Sequence, residues 1–428
     1  VYTDRRSIPS RPAASSAVKK SSLFTLSTID CSCSHSVGLR GWVVQLRYQF
    51  RLYPTRGQQQ ALARTFGCAR VVYNDALRIR KDAHAAGTPF PKSGDLSKQL
   101  ITEAKRTPER AWLSNAPVGV MQQALRDLDQ AYRNFFDSLS GKRKGPKMSE
   151  PRFKSKRDNR QTARYTRSDY FRVLPDGKLR LPKVGEVRVK WSRDLPSDPS
   201  SVTVVKDASG RYFASFVVQT DPSEVLPESS GEVGIDLGLT HFAVLSDGRK
   251  VSSPKFLRRA ERKLRKAQQA LSRKKKGSNN RKKAVARVAR LHARVADTRR
   301  DHHHKLSTQL IRENQAVYVE NLSVKGLART RLAKSVHDAG WARLTAMLEY
   351  KAARYGRTFG KVDRFLPSSQ TCSVCFVIDG PKPLSVREWT CGACQTIHDR
   401  DVNAARIVLA AGRADKPNAC GGTVRPAA

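Results

Sequence analysis

The chain has 428 residues, with 81 Lys and Arg against 37 Asp and Glu and a formal charge of +44 at pH 7. A compact molecule with that imbalance repels itself until a polyanion neutralises it, so nucleic acid or an anionic membrane surface is expected as partner. No run reaches the roughly 18 apolar residues of a membrane span, and the length suffices for two or three domains.

Residues 1–42 are rich in Ser, Arg and Pro, with no amphipathic period and no apolar run before a small-residue cleavage site. They read as a disordered extension or as translation from an upstream start codon, and not as a signal peptide. From Val44 to Leu52 apolar and polar residues alternate, the pattern of a strand with one buried face; Pro54 ends it and Thr55 is placed to cap a helix. Residues 56 to about 140 read as helical, with Leu62, Phe66, Ala69, Val72 and Leu77 along one side and Val120, Ala124, Leu128, Ala131 and Phe135 along another. The stretch 141–167 is basic and loop-like, and strand patterns return at 187–191, 202–205 and 212–218. Segments 43–54 and 168–220 are therefore expected to form a β-rich module, interrupted by a helical one at 55–167. Residues 221–231, with two prolines and three serines, read as a linker.

Beyond it, Val233 begins a short apolar strand that ends in Asp236 and glycines. Segments 241–245 and 250–251 flank Ser246-Asp-Gly, a hairpin signal. Residues 258–300 hold 18 Lys or Arg and two acids, with Leu257, Leu264 and Leu271 spaced by seven and Val288, Leu291 and Val295 at helical spacing. With Gly277-Ser-Asn-Asn between, 257–300 is read as a basic helical hairpin facing phosphate. Arg273, Lys274, Lys275, Lys276, Arg281, Lys282 and Lys283 around its tip are candidate nucleic-acid contacts. A separate helix is expected from about His303, with His302-His-His304 as an exposed face. Ala316 to Asn321 follows as a strand ending in Glu320, then a helix over 341–355 and a last helix near Arg400, opened by Asp401.

Cys372-Ser-Val-Cys375 and Cys391-Gly-Ala-Cys394 stand 15 residues apart. Two such knuckles can place four thiolates around one Zn²⁺, and four protein ligands leave no open position, so the zinc is expected to be structural. Phe376 stands where a glycine often eases the turn after the second cysteine. Cys31, Cys33, Cys68 and Cys420 lack paired spacing.

Asp236, Glu320 and Asp401 each sit at the end of an element in a cationic chain. Converging carboxylates repel one another unless divalent cations neutralise them, and two such cations can support phosphodiester hydrolysis. Spacing alone does not establish that the three converge.

Gly234-Ile-Asp236-Leu-Gly238, Val319-Glu320-Asn321-Leu322 and His398-Asp-Arg-Asp401-Val-Asn403-Ala-Ala405 resemble the three nuclease motifs of TnpB proteins, transposon-encoded relatives of the type V CRISPR effector nucleases. Ser368-Ser-Gln-Thr-Cys372 and Arg70-Val-Val-Tyr73-Asn74 also resemble TnpB segments. The resemblance implies an α/β chain with an RNase H-like (RuvC) nuclease domain at 232–369 and 397–411. A zinc ribbon at 370–396 would be inserted in that domain, a flexible tail would follow at 412–428, and a wedge and a helical recognition module would precede it. It implies Asp236, Glu320 and Asp401 as catalytic ligands of two Mg²⁺, with Mn²⁺ as substitute, and Asp399 as a helix cap. It also implies Tyr73 and Asn74 as nucleic-acid contacts, a guide RNA, and a double-stranded DNA target with a short flanking motif. A partner transposase encoded nearby and a bacterial, cytoplasmic, nucleoid-associated setting complete the expectation. The alternatives are a nuclease-inactive RNA-guided repressor, a DNA transposase of the same fold, and a zinc-ribbon regulator without a guide. In the transposase the order of acids would end on glutamate. These motifs do not separate a CRISPR-associated effector from TnpB.

Overall fold

The computed structural model describes residues 44–414, apart from residues 144, 159, 167–170, 221–224 and 384. The expected N-terminal extension with Cys31 and Cys33, and the chain from 415 with Cys420, lie outside the described residues.

Strand β1 (Val44–Tyr53) lies in the middle of a seven-stranded antiparallel sheet. The others are β2 (Gln161–Thr166), β3 (Arg172–Val173), β4 (Lys178–Leu181), β5 (Gly185–Lys190), β6 (Ser201–Lys206) and β7 (Tyr212–Thr220), in the order β2-β6-β7-β1-β5-β4-β3. The alternation in β1 turns Tyr48, Phe50 and Leu52 into a core shared with α1 (Arg56–Ala85) and α3 (Val118–Leu139). Thr55 and Gln58 close a reciprocal capping box at the start of α1. A short α2 (Ser93–Ser97) and irregular turns through Asn115 join the two long helices. The sheet departs from expectation at Gln161–Thr166, read as part of a basic loop. It pairs along β6 because Ala163 and Tyr165 alternate inward there, a pattern hidden among flanking charges.

The second sheet has the order β10-β9-β8-β11-β12, formed by β8 (Glu232–Asp236), β9 (His241–Leu245), β10 (Lys250–Ser252), β11 (Ala316–Glu320) and β12 (Thr358–Val362). Strands β8, β11 and β12 are parallel, while β9 and β10 return antiparallel through the hairpin. Helix α4 (Phe256–Ser272) turns back into α5 (Asn279–Glu313), which is one continuous helix and not a hairpin arm followed by a second helix from His303. No Gly or Pro interrupts it, and its last turns bury Leu306, Leu310 and Ile311 under the sheet. The three histidines accordingly do not form one exposed face: His304 is exposed, His302 half-buried and His303 buried. His303 is buried, stacked on Phe242 with Nε2 3.0 Å from the Ala339 carbonyl, and burial pushes its pKa down to about 4.

Helices α6 (Val324–Leu327), α7 (Ala333–Ala339) and α8 (Trp341–Tyr355) connect β11 to β12, and α9 (Arg400–Ala414) covers the opposite face. Helix α9 runs through 412–414, where a flexible tail was expected. The expected linker is also tied down where it is described: Arg357 donates to the Pro227 carbonyl at 2.6 Å, Ser229 Oγ to Glu313 O at 3.1 Å and Gln315 N to Gly231 O at 2.6 Å. A two-stranded ribbon, β13 (Glu388–Thr390) and β14 (Ile397–Asp399), completes the described chain. Among the described residues no helix is long and apolar enough to cross a membrane.

Candidate active site

The period of two in β8 and β11 decides which side chains can meet. Val233 and Ile235, with Val317 and Val319, face the core beneath α5 and α8. Gly234 and Asp236 therefore point the other way, as do Tyr318 and Glu320, toward α9. Because Val319 pairs with Ile235 in parallel register, Glu320 and Asp236 sit side by side at the carboxyl ends of their strands. Helix α9 crosses β8 so closely that a Cβ on Gly234 would lie 2.2 Å from Ala405 O and 2.5 Å from Leu409 N. This contact brings the first turn of α9, with Asp401, over Asp236. Asp399 caps that turn, its Oδ1 accepting from the amides of Asp401 at 3.1 Å and Val402 at 3.0 Å.

The electrostatics of Asp236 reflect both neighbours. Asp236 is pushed up to about 8 by burial, then by the charges of Glu320 and Asp401, with Arg400 opposing. Burial also raises Glu320, against the hydrogen bond that Ser368 Oγ donates to its Oε1 at 2.8 Å. Asp401 lies 3.5 Å from Arg387 and 3.8 Å from His241 Nδ1. Asp236 and Glu320 are thus two adjacent, largely buried carboxylates that disfavour their own negative charge, with Asp401 close enough to add to it.

Cys372, Cys375, Cys391 and Cys394 offer Sγ atoms that all lie within 4.8 Å of one another, the only group among the described residues to do so. The pairs Cys372–Cys394 and Cys375–Cys391 are 3.6 Å apart, too long for a disulfide. It is close to the ~3.8 Å edge of a tetrahedron with 2.3 Å metal–sulfur bonds. The hydroxyl and amide of Thr396 favour the thiolate of Cys394, while its neighbours in the same cluster push the Cys375 thiol up. This cluster can bind a metal such as zinc. Phe376 has φ +60° and Gln395 φ +56°, so each second cysteine is followed by a left-handed residue, the strain expected where Phe376 replaces glycine.

Ribbon and carboxylates share residues that sequence reasoning missed as a unit. Asn403, one turn into α9, accepts from Ser373 N at 2.8 Å and donates to Thr371 O at 2.7 Å, clamping the first knuckle. Buried His398 places Nε2 3.0 Å from Cys372 Sγ.

The basic candidates divide. Arg273, Lys274, Lys275, Lys276, Lys282 and Lys283 are exposed at the tip of the α4–α5 hairpin. Arg281 instead donates to the carbonyls of Leu271 and Lys274, closing the turn. Tyr73 is buried with the Lys154 ammonium 3.7 Å from its ring centre, and Asn74 makes two hydrogen bonds to the Lys154 backbone. Tyr73 thus has Lys154 against its ring, and the half-buried Asn74 spends its amide on the Lys154 backbone, so both hold a loop. A richer surface went unread: a 770 Å³ cleft between β1 and helices α5 and α8, lined by Arg47, Arg51, Arg193, Arg300, Lys351 and Arg354 and, among the described residues, by no acid. Burial, then Arg312, pushes Lys351 down to about 8.

Family models match three stretches: residues 44–88 match one described as "Helix-turn-helix domain", 215–331 one described as "Probable transposase", and 341–408 "Cas12f1-like, TNB domain". Residues 44–88 fold here as one strand and one long helix. A Streptomyces pristinaespiralis protein named "Putative RNA-guided DNA endonuclease" is 46% identical over 90% of this chain and 92% of its own. The Escherichia coli protein "Putative RNA-guided DNA endonuclease InsQ" is 32% identical over 86% and 92%. The solved Cas12f1–sgRNA–target DNA complex superposes with a TM-score of 0.50 at 12% identity, covering 86% of this chain and 98% of that one, a likeness of fold. With the motifs, the ribbon and this identity along almost its whole relative, the chain belongs to the TnpB (IS605 OrfB) family of transposon-encoded proteins.

Proposed function

We propose that this chain is an RNA-guided DNA endonuclease that hydrolyses target phosphodiester bonds at Asp236, Glu320 and Asp401. The observation that supports the reading is the placement of Asp236 and Glu320 side by side at the ends of β8 and β11, with Asp401 on the first turn of α9 near enough to raise Asp236, in a chain of charge +44. The order β10-β9-β8-β11-β12, with α9 laid over β8, agrees with an RNase H-like (RuvC) domain carrying an inserted ribbon. The seven-stranded sheet then stands as the wedge and α1–α3 as the recognition module.

Asp236, Glu320 and Asp401 would hold two Mg²⁺, or Mn²⁺ in its place. The chemistry such cations supply is activation of a water and stabilisation of the leaving oxygen. The protein's own groups prepare the site: Ser368 orients Glu320, Asp399 fixes the first turn beneath Asp401, and Arg387 offers positive charge for a phosphate. The four cysteines would hold one structural Zn²⁺. The cleft lined by Arg47, Arg193 and Arg300 suits guide-RNA phosphates, while base pairing reads the target and protein reads a short flanking motif.

The test is to purify the chain from cells carrying its native flanking DNA and to sequence RNA that survives high-salt washing. The complex is then given Mg²⁺ and a plasmid library with randomised flanks. A defined RNA with cleavage lost in Asp236→Ala is expected. RNA without cleavage would leave a guided binding protein, and no specific RNA would end the guided reading.

A further inference from the structure

We propose that the turn after β12 is a nucleotide-binding element beside the carboxylates: Phe365 stacks on an unpaired base of the DNA strand being cut, and Arg364 takes the neighbouring phosphate. This rests on the nuclease reading and names a contact within it.

Placement comes first. Val362, the end of β12, pairs with Glu320, and Ser368 donates to the Glu320 carboxylate at 2.8 Å. The residues between are thus tied to Glu320 at both ends, and Arg364 Nε donates to the carbonyl of the next residue, Asn321, at 3.3 Å. The turn is also fixed internally: Phe365 N donates to Asp363 Oδ1 at 2.7 Å, Leu366 N to Asp363 O at 3.3 Å and Ser368 N to Leu366 O at 2.8 Å. Leu366 packs inward against the cluster of Tyr318 and Val362. Phe365 consequently points outward at 86% exposure, the highest of any large hydrophobic among the described residues.

A phenyl ring so held gains nothing from the fold. Its sequence neighbours Asp363 and Arg364 are exposed and charged, which favours a charged ligand over an apolar protein surface. An aromatic ring with an adjacent cation is the pairing that binds single-stranded nucleic acid, since every base has a π face and every nucleotide a phosphate. Bases within a duplex are already stacked, which restricts the ligand to an unpaired strand.

The experiment uses the full chain with its copurified RNA, in an Asp236→Ala background that prevents cutting. Target DNA carries 2-aminopurine at one position at a time along the strand to be cut. One or two adjacent positions should be quenched, and Phe365→Ala should abolish that quench and weaken single-strand binding about 5- to 100-fold. Phe365→Trp should restore both. Arg364→Ala should reduce the slope of log K against log salt by about 0.7. A quench indifferent to Phe365, or rescue by Phe365→Leu as complete as by Trp, would overturn the proposal. A Phe365-dependent quench in a complex that never cleaves with Asp236 restored would keep the stacking site and sink the nuclease reading. Cleavage without any quench would do the reverse.

Discussion

At the scale of single residues, Asp236 shows how a site is bought at the expense of the fold. Its carboxyl ionises near 8 in the folded chain against an ordinary 3.8, because burial and two neighbouring carboxylates oppose the charge. Between those values the folded state holds a proton that the unfolded state releases, so this group's contribution to stability falls as pH rises from about 4 to about 8. Asp236→Asn removes the charge and keeps the shape. We expect it to abolish cleavage and to raise the melting temperature of the metal-free protein at pH 8 by a few degrees, the gain vanishing near pH 4; equal gains at both pH values would disprove this account. Added Mg²⁺ should stabilise the parent chain more at pH 8 than at pH 6, because binding must expel the proton. Gly234 is the companion case. Gly234→Ala puts a methyl 2.2 Å from Ala405 O, so α9 must lift and carry Asp401 away from Asp236. Cleavage should fall at least tenfold with a lower melting temperature; a parent-like rate would mean that α9 can shift without consequence. Each acid was legible in the sequence as a polar end to an apolar strand or helix. The adjacency of Asp236 and Glu320 was not, because it depends on the parallel register of β8 with β11, nor was the approach of α9 that Gly234 permits.

At the scale of elements, α9 joins the ribbon to the carboxylates. Its second turn carries Asn403, buried and bonded to Ser373 N and Thr371 O, while the same loop presents Ser368 to Glu320. Asn403→Ala leaves the buried Thr371 carbonyl without this donor, at about 1–3 kcal/mol, and frees the half-buried Ser373 amide. We expect faster release of zinc to a chromophoric chelator and a cleavage rate reduced at least tenfold. Unchanged zinc release with slowed cleavage would place the effect in Glu320 alone. Asn403→Asp should be worse than Ala, since a carboxylate would face the Thr371 carbonyl. Sequence pattern found the two knuckles and this helix readily, because thiol spacing and a capping acid are local signals. It failed where tertiary packing overrides composition. The charge run that ends near Arg300 suggested a helix boundary, yet α5 continues because Leu306, Leu310 and Ile311 are buried beyond it. The loop-holding role of Tyr73 and Asn74 was equally illegible, because their partner Lys154 is about 80 residues away in the chain.

At the scale of the whole molecule, +44 must be distributed, and the folded chain gathers part of it into a cleft that no single segment announces. Arg47 and Arg51 come from β1, Arg193 from the loop after β5, Arg300 from α5, and Lys351 and Arg354 from α8. The hairpin tip, by contrast, is a run in sequence and an exposed knob in space. If the cleft holds RNA, Arg193→Ala with Arg300→Ala removes two phosphate partners at little structural expense. Arg300 keeps only an exposed ion pair with Asp297, and Arg193 lies over the Tyr48 ring. The slope of log K for RNA against log salt should then fall by about 1.4 in the double variant. Replacing Lys274, Lys275 and Lys276 by alanine tests the tip in the same titration. A larger loss there would move the main RNA contact out of the cleft. Lys351 adds a signature that the tip cannot mimic. Its Nζ donates to His304 O, Ser307 Oγ and Thr308 Oγ1, yet burial pushes its pKa down to about 8 in the free chain, whereas a nearby phosphate favours the charged form. RNA binding above pH 8 must therefore take up a proton, and affinity should decline as pH rises from about 8 to 10. Lys351→Met should flatten that decline; a pH dependence identical to the parent's would show that phosphate does not reach the cleft floor.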